Sequence, residues 1–344
     1  MRFDFVVGNP PYQDETLGEQ KNYMPPVYHL FMDSAYSISD KVELVTPARF
    51  LFDAGSTPAV WNKKMLTDKH LKILLYEPDS SKVFPNINFR GGVAVSYRDA
   101  GKDYGEIEVF TPYKELNGIL KKILPIVKEH SLADIAISRT SYRLTDTMHK
   151  ENPKAMSCLT KGHPYDMATN IFDLLPFVFH TNKPNDGKEY IMVVGRENNE
   201  RCYKYIRRDY VNDVSNLTAY KVLLPEAAGS GEYGEALPSS IIGTPGLANT
   251  ETFLSIGSFV EENEALHLQQ YIKTKFVRGL LGIMKVTQHI TPIKFKYVPL
   301  QDFTMSSDID WSQSISSIDL QLYDKYGLTE EERNFIETHV KEMD

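Results

Sequence analysis

Two cysteines in 344 residues, Cys158 and Cys202, cannot build a disulfide framework. Neither has a partner at metal-ligand spacing, so free thiols in a reducing cytoplasm are expected. Long apolar runs are missing too. No stretch approaches the roughly 18 residues that cross a bilayer. No basic region followed by an apolar stretch opens the chain, so no signal peptide is expected. The reading is a cytoplasmic protein without a membrane span. Positive charge is not in excess: the net charge is −8. That argues against indiscriminate coating of nucleic acid. It leaves room for a locally basic cleft, because binding follows charge placement. No repeat at a solenoid period is present.

The residues that are present suit a globular α/β protein. Apolar residues make up 42% and charged residues 24%, which is ordinary, and the length suits two domains. Short apolar runs at Phe3–Val7, Val42–Val45, Leu71–Tyr76 and Gly92–Tyr97 read as strands, with a further one at Glu106–Phe110. Between them, Val27–Ser37 and Asn62–His70 carry helical spacing. Alternation of this kind predicts a parallel or mostly parallel sheet, with ligands beyond the carboxyl ends of the strands. Tyr113–His130 reads as a helix, and the pattern becomes irregular after it. Strand-like runs recur at Tyr190–Val194, Tyr220–Leu224 and Thr252–Ser258. Glu261–Leu281 reads as one helix, Ala227–Gly234 as a Gly-rich mobile loop, and Thr329 with Glu332 as a capping box. A domain boundary falls near residue 130, giving domains 1–130 and 131–344.

The segment Phe-Asp-Phe-Val-Val-Gly-Asn-Pro-Pro-Tyr, residues 3–12, carries the chemistry. Asn9, Pro10, Pro11 and Tyr12 come directly after a strand. Two prolines fix their φ angles and remove two backbone donors, so the loop is stiff. The Asn9 side-chain oxygen and the Pro10 carbonyl are then two acceptors in fixed directions, with an aromatic ring beside them. Such a pair can take both hydrogens of a planar amino group and localise its nitrogen lone pair for attack on an electrophilic methyl. Tyr12 would stack on the ring that bears the amine. Positioning and electrostatics would be the catalytic work.

The segment resembles motif IV of S-adenosylmethionine-dependent amino-methyltransferases. The residues after it are similar to the adenine-N6-specific DNA methyltransferases of bacterial restriction-modification systems, in the Asn-Pro-Pro-Tyr class with a TaqI-like or type IIG arrangement. Pro26–Tyr36, Glu43–Phe50 with its Pro-Ala-Arg turn, and Asp79–Tyr97 resemble that family's successive elements. Val83-Phe84-Pro85 matches its Val-Phe-Pro. The resemblance implies the C-terminal half of a Rossmann-like methyltransferase sheet followed by a mixed α/β target-recognition domain. It implies S-adenosylmethionine as cofactor, double-stranded DNA as partner, and extrusion of the target adenine between Tyr12 and Phe84. The same four-residue motif also occurs in methyltransferases of protein glutamine and of RNA bases, which seldom carry so long a C-terminal region. A non-catalytic DNA-recognition module is the other alternative.

In that family the Gly-rich cofactor turn and the ribose-binding acid precede the catalytic loop. Here the loop lies near the first residue. The glycines at Arg90-Gly91-Gly92 and Ala228-Gly229-Ser230-Gly231 do not sit between a strand and a helix. The chain is therefore expected to bind S-adenosylmethionine weakly or not at all by itself. A preceding region, a partner chain or a second copy would complete it. Phe3–Val7 would be a sheet edge with an uncovered apolar face.

Residues 271–301 hold six basic side chains, Lys273, Lys275, Arg278, Lys285, Lys294 and Lys296, and no acidic one. Tyr271, Phe276, Phe295 and Tyr297 are interspersed. Such a stretch suits phosphate contact and stacking, and these six are the expected DNA-binding residues. Arg196, Arg201, Lys204, Arg207 and Arg208 form a second basic cluster. A third runs from Ser138 to Arg143.

Overall fold

The computed structural model describes residues 2–13, 25–52, 57–84, 91–227, 229, 231–285 and 288–343. They fall into two compact units, Met1–Asn117 and Gly118–Asp344. Helix α3 (Lys114–Val127) spans the division.

Unit 1 is a four-stranded sheet. Its elements are β1 (Val6–Gly8), α1 (Tyr28–Ile38), β2 (Lys41–Pro47), α2 (Ala59–Leu66), β3 (Leu71–Glu77) and β4 (Val93–Asp99). The order is β1-β2-β4-β3. β1 pairs parallel with β2, and β4 pairs antiparallel with both β2 and β3. The sheet is therefore mixed rather than mostly parallel. β1, β2 and β3 nevertheless run the same way, and their carboxyl ends share one edge. Glu106–Phe110 is not a strand. Its chain is drawn aside at Glu108, whose positive φ of 53° interrupts extended backbone.

The alternation of β2 buries Val42, Leu44 and Thr46. The core there contains Tyr28, Met32 and Ala35 of α1 with Trp61 and Met65 of α2. β1 is an edge strand, as expected. Phe3, Phe5 and Val7 are 48%, 44% and 70% exposed, and Leu30 and Phe31 of α1 are exposed too.

Unit 2 begins with the rest of α3 and holds β5 (Ala136–Ile137), three short helices α4 (Asp146–Glu151), α5 (Ala155–Cys158) and α6 (Ile171–Leu174), then β6 (Tyr190–Glu197), β7 (Glu200–Arg207), β8 (Tyr220–Pro225), β9 (Ile241–Gly243), β10 (Leu247–Asn249) and β11 (Phe253–Phe259). Two sheets result, β10-β6-β7 and β5-β11-β8-β9. β7 has no apolar signature of its own. It is specified by Asn198 and Asn199, with φ of 48° and 67°, the positive pair that a two-residue hairpin turn requires. Four helices close the chain: α7 (Glu262–Lys273), α8 (Lys275–Met284), α9 (Ile315–Lys325) and α10 (Glu330–His339). The expected single helix Glu261–Leu281 is two, because Thr274 is extended (ψ 148°) and caps α8 through Val277 N–H. The Thr329–Glu332 capping box forms.

Lys221 of β8 is fully buried. Its Nζ donates to the carbonyls of Asn216 (2.8 Å), Ala219 (3.2 Å), Leu217 and Thr244. Burial pushes its pKa down to about 8. A folded pKa below the unfolded value near 10.5 means the unfolded chain holds more protons between those limits, so stability rises with pH there. Urea denaturation at pH 7.5 and 9.5 should show this gain in the wild type and not in Lys221→Met. The variant should also lose about 1–3 kcal/mol from orphaned buried carbonyls. Parallel pH dependence of the two proteins would contradict the assignment.

Candidate active site

The loop Asn9–Tyr12 leaves the carboxyl end of β1 beside that of β2, where Gly8 stands opposite Leu44. Its far end is fastened to the start of α1. Val27 N–H donates to the Tyr12 carbonyl (3.0 Å), and Gln13 bridges to Pro26. The Asn9 side chain is exposed. Among the described residues neither its oxygen nor the Pro10 carbonyl is engaged in a hydrogen bond, so both acceptors stand free for a donor.

Tyr12 is half-buried, with its hydroxyl 3.5 Å from the Val45 carbonyl, the limit of a hydrogen bond. Desolvation raises its pKa to about 12. The ring thus stays a neutral phenol through any physiological pH, which favours stacking over proton transfer.

Phe84 is brought to the same place from β3. After Glu77 the chain makes a short 3-10 turn, Ser80–Lys82, in which Asp79 accepts from Ser81 N–H (3.0 Å). Phe84 N–H then donates to the Ser80 carbonyl (2.9 Å). Its ring centroid lies 6.1 Å from that of Tyr12 at 71°. The two rings thus lie side by side at the same edge of the sheet. They meet edge to face, however, and are not two parallel walls. Pro85 and residues 86–90 of the Asp79–Tyr97 segment lie outside the described residues.

Behind the loop, Tyr28, His29, Phe50 and Trp61 pack ring against ring, with His29 and Trp61 centroids 5.5 Å apart. Among the described residues, buried His29 Nδ1, Trp61 Nε1 and Thr46 Oγ1 meet no hydrogen-bond partner. Burial holds the His29 pKa below its ordinary value, against the pull of Asp33. Asp33 itself ties α1 to α2 through Lys64 (2.7 Å). His29 and Asp33 lie in the segment Pro26–Tyr36 and Thr46 in Glu43–Phe50, both singled out in the sequence, whereas Trp61 was not. The only signal for Trp61 was its rarity, two tryptophans in the chain.

The candidate glycine loops are filled by their own chain. Gly91 lies against the Arg49 stem, and Gly92 against the Glu77 carbonyl at the entry to β4. Gly229 and Gly231 wrap the Glu235 carboxylate, which accepts from Gly231 N–H (3.0 Å); Ala228 and Ser230 lie outside the described residues. Neither turn leads from a strand into a helix, so neither matches the Gly-rich cofactor turn that the resemblance implies. Among them no group of three or more His, Cys, Asp or Glu is placed to hold a metal ion.

The basic stretch of unit 2 also needs correction. Lys275, Arg278 and Lys285 are buried. Lys275 pairs with Glu337 (2.6 Å) and Glu342 (2.5 Å). Arg278 donates to the carbonyls of Lys273 (3.0 Å) and Lys341 (2.7 Å). Lys285 pairs with Glu235. These three side chains hold α8 to the chain around it and are not available to phosphates. Tyr271, Phe276, Phe295 and Tyr297 are likewise core. Only Lys296 of the six is exposed, lying over the Tyr297 ring, while Lys273 and Lys294 are half-buried.

Residues 1–84 match the family described as Eco57I restriction-modification methylase. A Mycoplasma pneumoniae protein named an uncharacterized adenine-specific methylase is 27% identical over 95 residues. That match covers 27% of this chain and 22% of the relative, so the chain spans about a fifth of that protein. The type IIG restriction endonuclease BpuSI aligns with 98% of this chain and 54% of its own, at 9% identity and a TM-score of 0.31. That last likeness is too slight to carry an argument about the fold. The family match falls on the unit that bears the Asn9–Tyr12 loop.

The buried ion pair yields a direct expectation. Lys285→Ala strands the Glu235 carboxylate and should cost about 3–5 kcal/mol, whereas Lys296→Ala should stay within about 0.5 kcal/mol of wild type. Thermal denaturation reads both. An unchanged Tm for Lys285→Ala together with weakened DNA binding would restore the phosphate-contact role.

Proposed function

We propose that this chain is the catalytic-loop and DNA-recognition portion of a restriction-modification DNA methyltransferase acting on adenine N6. The observation that carries the reading is the pair of unengaged acceptors, Asn9 Oδ1 and the Pro10 carbonyl, on a stiff loop beside the Tyr12 ring. They stand at the edge shared by the carboxyl ends of β1, β2 and β3, where such sheets place ligands. The family match over residues 1–84 and the adenine-specific relative point the same way.

In this reading the target adenine leaves the duplex and lies on Tyr12. Asn9 and Pro10 accept from its amino group, and the ring's neutrality keeps the stack free of charge. Phe84 turns from edge-on contact to cover the base. S-adenosylmethionine supplies the methyl group when bound, and the residues that cradle it come from outside those described. The exposed edge of β1, with Phe3, Phe5 and Val7, is the place for a further strand that would bring them. That strand would come from a preceding region, a partner chain or a second copy. The filled glycine turns favour one second reading, a recognition module that binds DNA without transferring methyl groups.

Methyl transfer to duplex DNA, read as N6-methyladenine by mass spectrometry of digested nucleosides, separates the two. It should be run with the chain and with the chain plus a restriction-modification partner. Asn9→Ala should lower the rate by about 10²–10³, with DNA affinity retained. Methylation unaffected by Asn9→Ala would remove the loop from the chemistry.

A further inference from the structure

The hairpin β6–β7 carries a charge arrangement that the fold itself does not satisfy. Arg196 and Arg201 stand directly opposite each other across the two strands. Directly opposed residues share a face, with Cβ atoms about 4.5–5.5 Å apart, and like charges there are destabilising. Both side chains are exposed. Among the described residues neither forms an ion pair with a carboxylate. Arg196 Nη1 donates to Asn199 Oδ1 (3.0 Å), and the Arg201 guanidinium lies 5.6 Å from the Phe253 ring centroid. Each is steered at one side and left with free N–H groups on the other.

The contrast with neighbouring basic residues is sharp. Lys204 pairs with Glu197 (3.0 Å), Arg207 with Glu151 and Asp209, Arg208 with Asp213, and Arg143 with Asp166 (3.0 Å). Glu197 and Glu200, opposed at the next register, point to the other face by strand alternation. The tip is also firmly seated. A Cβ on Gly195 would fall 2.6 Å from Thr250 Cγ2 and 2.9 Å from Phe172 Cε2. The rigid Asn198-Asn199 turn then projects the two guanidinium groups together.

We propose that this hairpin is the element that meets duplex DNA, with Arg196 and Arg201 as a paired clamp on backbone phosphate. The proposal rests on the methyltransferase reading for its choice of partner. A two-stranded ribbon fits the major groove, and a guanidinium donates two parallel N–H bonds to phosphate. An anion between the arginines removes the repulsion that the free hairpin bears. The clamp takes over the role that the buried Lys275, Arg278 and Lys285 cannot fill.

The test is fluorescence anisotropy of the full chain with labelled duplex DNA across a salt series, with Tm measured in parallel. Arg196→Ala/Arg201→Ala should reduce the slope of log affinity against log salt by about 0.9, the share of the one phosphate that the pair holds. Affinity at about 0.1 M salt should then fall on the order of tens-fold, and Tm should stay or rise. The double lysine variant should keep the slope. An unchanged slope in the double alanine variant overturns the clamp while leaving the Asn9 chemistry standing. A fall in Tm matching the fall in affinity marks a structural role and overturns it too. A wild-type chain that binds single-stranded RNA but no duplex DNA overturns both the clamp and the DNA reading.

Discussion

Pairing within one small sheet sets the geometry on which everything else rests. β1 lies parallel on β2, and β4 inserts antiparallel between β2 and β3. Three strands thereby end at one edge. Residues 9–12, the end of β2 at Pro47 and the Asp79–Phe84 turn become neighbours although they are far apart in the chain. Without the β4 insertion, Phe84 would not face Tyr12. The two prolines add the second constraint, because a loop that cannot relax keeps its acceptors aimed outward.

Much of this was legible in residues 3–12. A short apolar run ending in glycine and then Asn-Pro-Pro-Tyr announces a strand followed by a loop, and the structure has both. The direction of β4 was not legible, since an apolar run such as Val93–Tyr97 carries no sign of parallel or antiparallel pairing. Glu106–Phe110 imitates a strand for a related reason. Apolar residues there pack into the core, with Ile107 and Phe110 against it, without joining the ladder. The edge character of β1 was legible as well, and the exposed Phe5 and Val7 match it.

The basic stretch teaches the opposite lesson. A window free of acidic residues reads as a cationic surface, but charge balance is struck in space. Glu235, Glu337 and Glu342 reach Lys285 and Lys275 from distant segments. The Arg196–Arg201 pair, by contrast, is conspicuous only once the register is known. In the linear chain those residues are two members of the second basic cluster, set beside glutamates and asparagines, and nothing there singles out the pair. Strand alternation separates the signs onto opposite faces, a distinction invisible until β7 is recognised through its Asn198-Asn199 turn.

The central claim is that the Asn9–Tyr12 loop receives an adenine ring, and it can be tested without a recognition sequence. Selective carbon-13 labelling of Tyr and Phe allows NMR titration of the chain with adenosine. Tyr12 and Phe84 ring resonances should shift saturably, and Tyr12→Ala should abolish the shift at Phe84. Inosine, which lacks the 6-amino group, should shift them far less. Equal shifts with adenosine and inosine, or none at Tyr12, would contradict the account.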